Sequence, residues 1–201
     1  MFSYAYTDLQ ISYVAVNPLN NSVGAITTNA ARARNTGLEL EGKWAVSDSG
    51  TVNFALAILD AKYKSFVFPV ALPARPTATN YGDKSLDKAH NNTISLGYPH
   101  DWSLASGAGI TASINTRRSS SYVLSNFAAA IPVQYTQAGF SRTDINATYN
   151  SAGDKWYVQG YVRNIENSSV MTGCTFSSLT GNQVYLSEPR TYGLRVGMKF
   201  F

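Results

Sequence analysis

Glu39 and Glu41 stand two residues apart, a spacing that sets two carboxylates on one face of an extended strand. Paired carboxylates can carry acid–base chemistry, but Lys43 continues the same face, and a charged wall accounts for all three residues more simply. The two histidines offer no better start. His100 and Asp101 are neighbours in sequence, so in a strand they point to opposite faces. His90 lies beside Asp87 and Lys88 in a loop-like stretch and joins no constellation. Cys174 is the single cysteine, which leaves it without a partner for a disulfide. No metal-ligand spacing and no phosphate-binding glycine loop is present, so neither an enzyme nor a cofactor is expected. Arg32 with Arg34, and Arg117 with Arg118, sit at the ends of strand-like segments. There they could meet phosphates or an anionic ligand, although solvated loop charges are the plainer reading. Phe66, Phe68, Tyr81, Tyr122, Phe127 and Phe176 in the long connections are candidates for ligand recognition.

The elements that carry these residues follow from composition and periodicity. Hydrophobic residues make up 44% of the 201 and charged residues only 14%, against roughly 25% in an average domain. Mean hydropathy is −0.14, as it would be for a soluble protein. A membrane barrel shows lipid to one residue and lumen to the next, so its window averages cancel and the value excludes nothing. No run approaches the roughly 20 apolar residues of a spanning helix. The formal charge is +4, but the 16 Lys and Arg are scattered, with no basic run to hold nucleic acid.

Alternation of period two recurs about eight times, which predicts an all-β fold. The first strand, near residues 6–14, sets Leu9, Ile11 and Tyr13 against Asp8, Gln10 and Ser12. The second, near 36–46, opposes Leu38, Leu40, Trp44 and Val46 to Glu39, Glu41 and Lys43. The third carries Val52, Phe54, Leu56 and Ile58, and the fourth carries Ile94, Leu96 and Tyr98 and ends around Pro99. The fifth offers Ile110, Ala112 and Ile114 against Thr111, Ser113 and Asn115. The sixth sets Thr143, Ile145, Ala147 and Tyr149 against Asp144, Asn146 and Thr148. The seventh sets Trp156, Val158 and Val162 against Tyr157, Gln159, Tyr161 and Arg163. The eighth sets Tyr192, Leu194, Val196, Met198 and Phe200 against Gly193, Arg195, Gly197 and Lys199.

Connections alternate between tight turns, at 47–50, 105–107 and 151–154, and long loops, at 15–30, 64–91, 117–138 and 165–188. An antiparallel transmembrane β-barrel segment with short periplasmic turns and long extracellular loops has this asymmetry. Trp44, Trp102 and Trp156 each fall beside a tight turn and in the apolar register, joined by Tyr149 and Phe200. Barrels place such aromatics at the membrane interface. The opposite register, with Glu39, Glu41, Lys43, Asp144, Arg163, Arg195 and Lys199, would then line a polar lumen able to form ion pairs.

Several stretches resemble the C-terminal barrel region of TonB-dependent outer-membrane receptors, the siderophore and iron-complex receptor type. They are Asn35-Thr36-Gly37-Leu38-Glu39-Leu40-Glu41, Thr143-Asp144-Ile145-Asn146-Ala147-Thr148-Tyr149, Lys155-Trp156, Val162-Arg163-Asn164-Ile165-Glu166-Asn167, and Pro189 through Gly197. The resemblance implies a 22-stranded, plugged barrel of the bacterial outer membrane that imports an iron-siderophore complex or a similar scarce nutrient, driven by TonB. It implies outer-membrane lipid and lipopolysaccharide as surroundings, and recognition of the terminal strand by the barrel-insertion machinery. Phe200 closes the apolar register, and Phe201 runs one residue past it. The chain opens Met1-Phe2-Ser3-Tyr4, without a signal peptide, a plug domain or a TonB-contacting segment. Residues 1–201 are therefore expected to be one barrel segment, not transport-competent alone, whose plug and earlier strands are absent. Two other architectures share the pattern: a self-standing eight-stranded outer-membrane barrel of structural or adhesive role, and a soluble β-barrel binding a small ligand.

Overall fold

The computed structural model describes residues 1–16, 23–67, 80–125, 135–177 and 181–200. Twelve strands are present among them. Eight form one antiparallel sheet: β1 (Phe2–Val16), β2 (Val23–Ser47), β3 (Gly50–Ser65), β4 (Asn92–Ser103), β5 (Gly109–Ser119), β8 (Phe140–Asn150), β9 (Trp156–Arg163) and β12 (Thr191–Met198), in that order across the sheet. Two small hairpins, β6 (Tyr122–Ser125) with β7 (Tyr135–Gln137) and β10 (Met171–Ser177) with β11 (Gly181–Leu186), lie within the connections. Among the described residues no helix is long and apolar enough to cross a membrane, which says nothing about crossing by strands.

Every neighbour in the large sheet is antiparallel, and β1 and β12 stand at its two edges without pairing to each other. The sheet is open among the described residues, which disfavours the self-standing eight-stranded barrel. Cross-strand register keeps the alternation in phase from β2 to β12. Leu40 faces Leu56, Phe54 faces Leu96, Ile114 faces Ile145, Tyr149 faces Val158, and Val158 faces Val196. One face is thus apolar and the other polar, each continuous over seven strands.

Three expectations change. The first strand is longer than residues 6–14 and does not keep one phase. Asp8 adopts a left-handed φ of 56°, and register shifts fall at Tyr6/Leu9 and Leu9/Gln10. This bulge buries Ile11 against Tyr63, Phe66 and Tyr81 instead of aligning it with a membrane face. The fourth strand passes through Pro99 to Ser103. Pro99 pairs with Ser113 on β5, while no β3 pair forms between those at Gly97 and His100, so the missing N–H costs little. The stretch expected as a loop at 15–30 is mostly ladder: β1 runs to Val16 and β2 resumes at Val23. The other three long connections also carry their own hairpins or bridges.

The tight turns stand as read. Gly107 at φ 80° and Gly153 at φ 70° supply the left-handed positions that two of them need.

Candidate functional site

Residues expected in the lumen lie together on the polar face. Glu39, Glu41 and Lys43 follow one another along β2, opposite Ala57, Ala55 and Asn53. Asp144 on β8 faces Asn115 on β5, Arg163 on β9 faces Thr191, and Arg195 on β12 faces Gln159. Lys199 lies just past β12, where its N–H reaches the Lys155 carbonyl at 2.9 Å. Short polar pairs tie this face across strands: Asn146 Nδ2 to Ser113 Oγ at 2.7 Å, Gln159 Nε2 to Thr148 Oγ1 at 2.9 Å, and Thr111 Oγ1 to Asp101 Oδ1 at 2.6 Å. A hollow of about 640 Å³ opens on it, lined by Glu41, Lys43, Asn115, Arg117, Arg142 and Asp144.

Both signs lie on this face, without an ion pair between them among the described residues. Among the described residues the ion pairs are Lys62–Asp60 and Lys64–Asp83, both away from the hollow. Carboxylates dominate β2, whereas Arg117, Arg142, Arg163 and Arg195 follow one another from β5 to β12 with Asp144 among them. Arg163 lies over the Tyr161 ring at 5.3 Å. Arg142 was not singled out from sequence. Its place opposite Arg117 depends on a register that joins residues separated by a 20-residue excursion of unpredictable form.

The apolar face carries Trp44, Trp102, Tyr149, Trp156 and Phe200, exposed by 67, 46, 36, 42 and 84%. Tyr149 and Trp156 pack at 5.3 Å between ring centroids, and Trp102 packs against His100 at 4.3 Å. His100 is also tied to Tyr98 at 2.8 Å, so it belongs to this aromatic row. Counted from the hydrogen-bonded row Gly42, Phe54, Leu96, Thr116, Thr143, Trp44 is two residues toward the tight turns, and Trp102 and Tyr149 are each six. Trp156 lies two beyond Val158, the partner of Tyr149, which makes eight. The line of aromatics slips six residues over five strand steps. That is a strand tilt of roughly 40° for a rise of about 3.3 Å and a spacing of about 4.8 Å, within the range of closed barrels.

Arg117 and Arg118 split. Arg118 pairs with Ile94 and Ser141 on the apolar face, while Arg117 pairs with Ser95 and Arg142 on the polar one. Arg34 faces Lys62 at the outer end of the apolar face, and Arg32 faces Ser65 beyond it.

At the long-loop end, residues to which the sequence assigned no structural role build a hydrogen-bonded cluster. Asn164, fully buried with φ 53°, donates its N–H to Asp144 Oδ1 at 2.8 Å and its Nδ2 to the carbonyls of Ser168 and Glu188. Its Oδ1 accepts from Ser168 N–H at 2.9 Å. Glu166 accepts from Thr143 N–H at 2.7 Å and from Thr143 Oγ1 at 2.5 Å, and the hydroxyl bond holds its carboxyl below the usual range. Arg163 through Asn167 thus forms one structural turn. A second cluster centres on His90, whose Nδ1 meets Ser119 Oγ at 2.6 Å and whose ring lies 4.0 Å from that of Tyr122. Tyr122 donates to the Met171 carbonyl at 3.0 Å, and Gln137 Oε1 accepts from Met171 N–H at 2.7 Å, which ties the hairpins together. Burial first, and Arg117 second, push the His90 ring below its ordinary value.

Of the aromatics offered for ligand recognition, Phe66, Tyr81 and Tyr122 are buried packing residues instead. Phe68 and Phe127 lie outside the described residues, as do Phe201 and the side chain of Phe176. Burial and Asp87 raise the half-buried Cys174 thiol, which disfavours the reactive thiolate. Among the described residues no group of His, Cys, Asp and Glu could hold a metal ion.

A family model described as TonB-dependent receptor-like β-barrel matches residues 2–165. The chain belongs to the TonB-dependent receptor-like β-barrel family. Barrels of this family are outer-membrane proteins of bacteria, and its members are transporters and receptors. Solved structures similar to this receptor barrel include the ferric yersiniabactin uptake receptor FyuA of Yersinia pestis. It is 14% identical with a TM-score of 0.69, over 88% of this chain and 25% of that one. The ferric preacinetobactin receptor BauA of Acinetobacter baumannii is 18% identical with a TM-score of 0.61, over 96% and 26%. The ferric-catecholate import receptor Fiu of Escherichia coli K12 is 17% identical with a TM-score of 0.62, over 95% and 24%. At such identities the likeness shows the barrel fold, and the chain spans about a quarter of those receptors. No curated protein matches by sequence.

Proposed function

We propose that residues 1–201 form one C-terminal wall segment of a bacterial outer-membrane receptor that imports a ferric siderophore or a similar scarce nutrient. The apolar face meets lipid and the polar face lines the lumen. The tight turns face the periplasm, and the loops face outward, where they and the lumen wall touch the ligand. The observation that carries this reading is the height of the apolar band. From Trp44 to Thr36, whose partner Asp60 is the first charge on this face, is eight residues along β2, and from Ile110, the partner of Trp102 and Tyr149, to Arg118 is eight along β5. At the tilt above, eight residues climb about 20 Å, close to the roughly 25 Å apolar band of outer-membrane barrels.

Glu39, Glu41, Lys43, Asp144, Arg163, Arg195 and Lys199 are lumen residues in this reading. Trp44, Trp102, Tyr149, Trp156 and Phe200 mark the periplasmic interface. Arg34, Lys62 and Arg118 end the band on the lipid side, where lipopolysaccharide phosphates would meet them, and β12 is the strand offered to the insertion machinery. Energy from TonB would enter through a plug outside these residues, so the segment alone does not transport. Single-cysteine variants in a Cys174→Ser background, labelled with an environment-sensitive dye in lipid vesicles, test the reading. A lipid-phase quencher should act on labels at 40, 56 and 145 and spare those at 41, 55 and 146. Quenching without that alternation would sink it.

A further inference from the structure

We propose that His90 is an acid-release latch: its neutral ring holds three outer connections of this wall together, and a proton on that ring frees them. That the freed loops border the mouth of the lumen rests on the reading of the polar face as lumen; the latch itself does not. The three connections meet at one place. His90 stands near the end of the β3–β4 connection, Tyr122 opens β6 in the connection between β5 and β8, and Met171 opens β10 in the connection between β9 and β12. The contacts run through the imidazole. Its Nδ1 meets Ser119 Oγ at 2.6 Å, its ring lies 4.0 Å from that of Tyr122, and the Tyr122 hydroxyl donates to the Met171 carbonyl at 3.0 Å. Ser119, Leu124, Gln137 and Val170 close around this path, exposed by only 2, 2, 5 and 6%. Main-chain support between the first two connections is thin. Lys88 N–H reaches the Val123 carbonyl at 2.7 Å, and among the described residues no strand ladder joins residues 80–91 to β6 or β7.

The surroundings favour the neutral ring. Its own connection carries Asp87 and Lys88, β5 carries Arg117, β6 carries the Tyr122 phenol, and β10 carries Cys174, whose thiol feels Asp87 and Lys88. The side-chain charge that bears on His90 is Arg117, of the same sign as an imidazolium. Protonation also turns both ring nitrogens into donors, in a half-buried site where water cannot readily supply the new acceptor. A tyrosine face attracts a cation, and the Ser120 carbonyl favours the charged ring as well. Loss of hydration and Arg117 outweigh both, so the folded value lies below 6.5. The latch therefore contributes fully above that pH and is lost as pH falls through the folded value. Glu166 responds in a different window, below 4.5, and from a separate turn.

The test uses the full chain refolded in dodecyl maltoside micelles, with Cys174→Ser and nitroxide labels on cysteines placed at 84 and 136. Both positions are exposed; Lys84 rides on β3 through its carbonyl, and Thr136 rides on β7. Double electron–electron resonance should give a narrow distance distribution at pH 8 and one at least twofold broader at pH 5, the interval in which histidine changes charge. The midpoint should lie below 6.5 and coincide with the His90 titration in proton NMR. Arg117→Gln should move that midpoint to higher pH, a shift that a merely structural role for the cluster does not produce. His90→Phe, a ring that takes no proton, should stay narrow at both pH values. His100→Gln, in the aromatic row at the other end of the wall, should keep the transition. Circular dichroism checks the fold of each variant, and if His90→Phe does not fold, the Arg117→Gln midpoint decides. A distribution that does not change between pH 8 and 5, a folded His90→Phe that broadens as the parent does, or a midpoint unmoved by Arg117→Gln would overturn the latch. Lipid quenching that alternates as expected without this transition refutes the latch alone. The transition without that alternation keeps the latch and removes the lumen mouth as what it guards.

Discussion

Along β12, Tyr192 and Leu194 stand 81 and 80% exposed, whereas Phe66 in the connection after β3 and Leu124 on β6 are exposed by 1 and 2%. The large exposed side chains belong mostly to the wall, and most of the buried ones to the loops above it. The two regions are built for different solvents. In hydrocarbon, an apolar side chain gains nothing by hiding, and the backbone must satisfy itself, which the continuous ladder does. In water the loops need a core, which Phe66 and Tyr81 build with Ile11 and Tyr63 from the outer parts of β1 and β3. Polar groups follow the same division. On the wall they pair in short cross-strand contacts, while the loops bury whole side chains such as Asn164 inside a hydrogen-bonded cage.

The most forceful way to break this contrast is a charge at mid-band. Leu40→Arg should cost about 2–4 kcal/mol in denaturant unfolding from lipid vesicles. Ala55→Arg, opposite Glu41 on the polar face, should stay within about 0.5 kcal/mol. Equal costs would mean that the two faces meet the same solvent. Gly197→Ala probes how β12 seats on β9, because an added methyl would run into the Tyr157 ring. A loss of about 1–3 kcal/mol is expected, most of it recovered in a Gly197→Ala/Tyr157→Ala double variant. Additive losses would argue against the ring contact.

In the loops, Asn164→Ala should cost about 1–3 kcal/mol, seen as faster amide exchange over residues 165–170 with the wall unaffected. Asn164→Gly, which restores the left-handed φ, should regain only part of it. The smallest effect concerns pH. Glu166 has its folded carboxyl value depressed below 4.5, so its contribution is present above that pH and is lost as pH falls through the folded value. Protection of the Ile165 amide, which bonds the Thr143 carbonyl, should fall as pH is lowered below 4.5 and lose that dependence in Glu166→Gln.

The wall was legible because one residue decides one position: alternation assigns each side chain to a face without knowledge of its neighbours. That is why β2, β5, β9 and β12 were placed with their faces right from Leu38, Ile110, Val158 and Val196 alone. The first strand escaped the rule, since a single left-handed residue at Asp8 reverses the phase of everything after it. The loops were illegible for another reason. Whether Tyr122 is a ligand contact or packing depends on His90, Ser119 and Met171, which sequence separates by up to 49 residues. The Arg117–Arg142 pair is hidden in the same way, as neither residue has a local signal that points to the other.

The outward continuation of β1 and β2 has a consequence for how the protein can change over generations. From Tyr13 to Val16 it is paired residue for residue with Val23 to Ile26, and Ser12 Oγ meets Thr27 Oγ1 at 2.8 Å just below. Main-chain bonds carry this ladder well beyond the roughly 9–11 residues that a membrane crossing needs. A surface held by its backbone leaves its side chains to drift. Substitutions at exposed positions such as Ser12, Thr27 and Asn29 should therefore be absorbed almost without cost, giving the molecule an outer face that mutation can redraw while the wall beneath stays as it is.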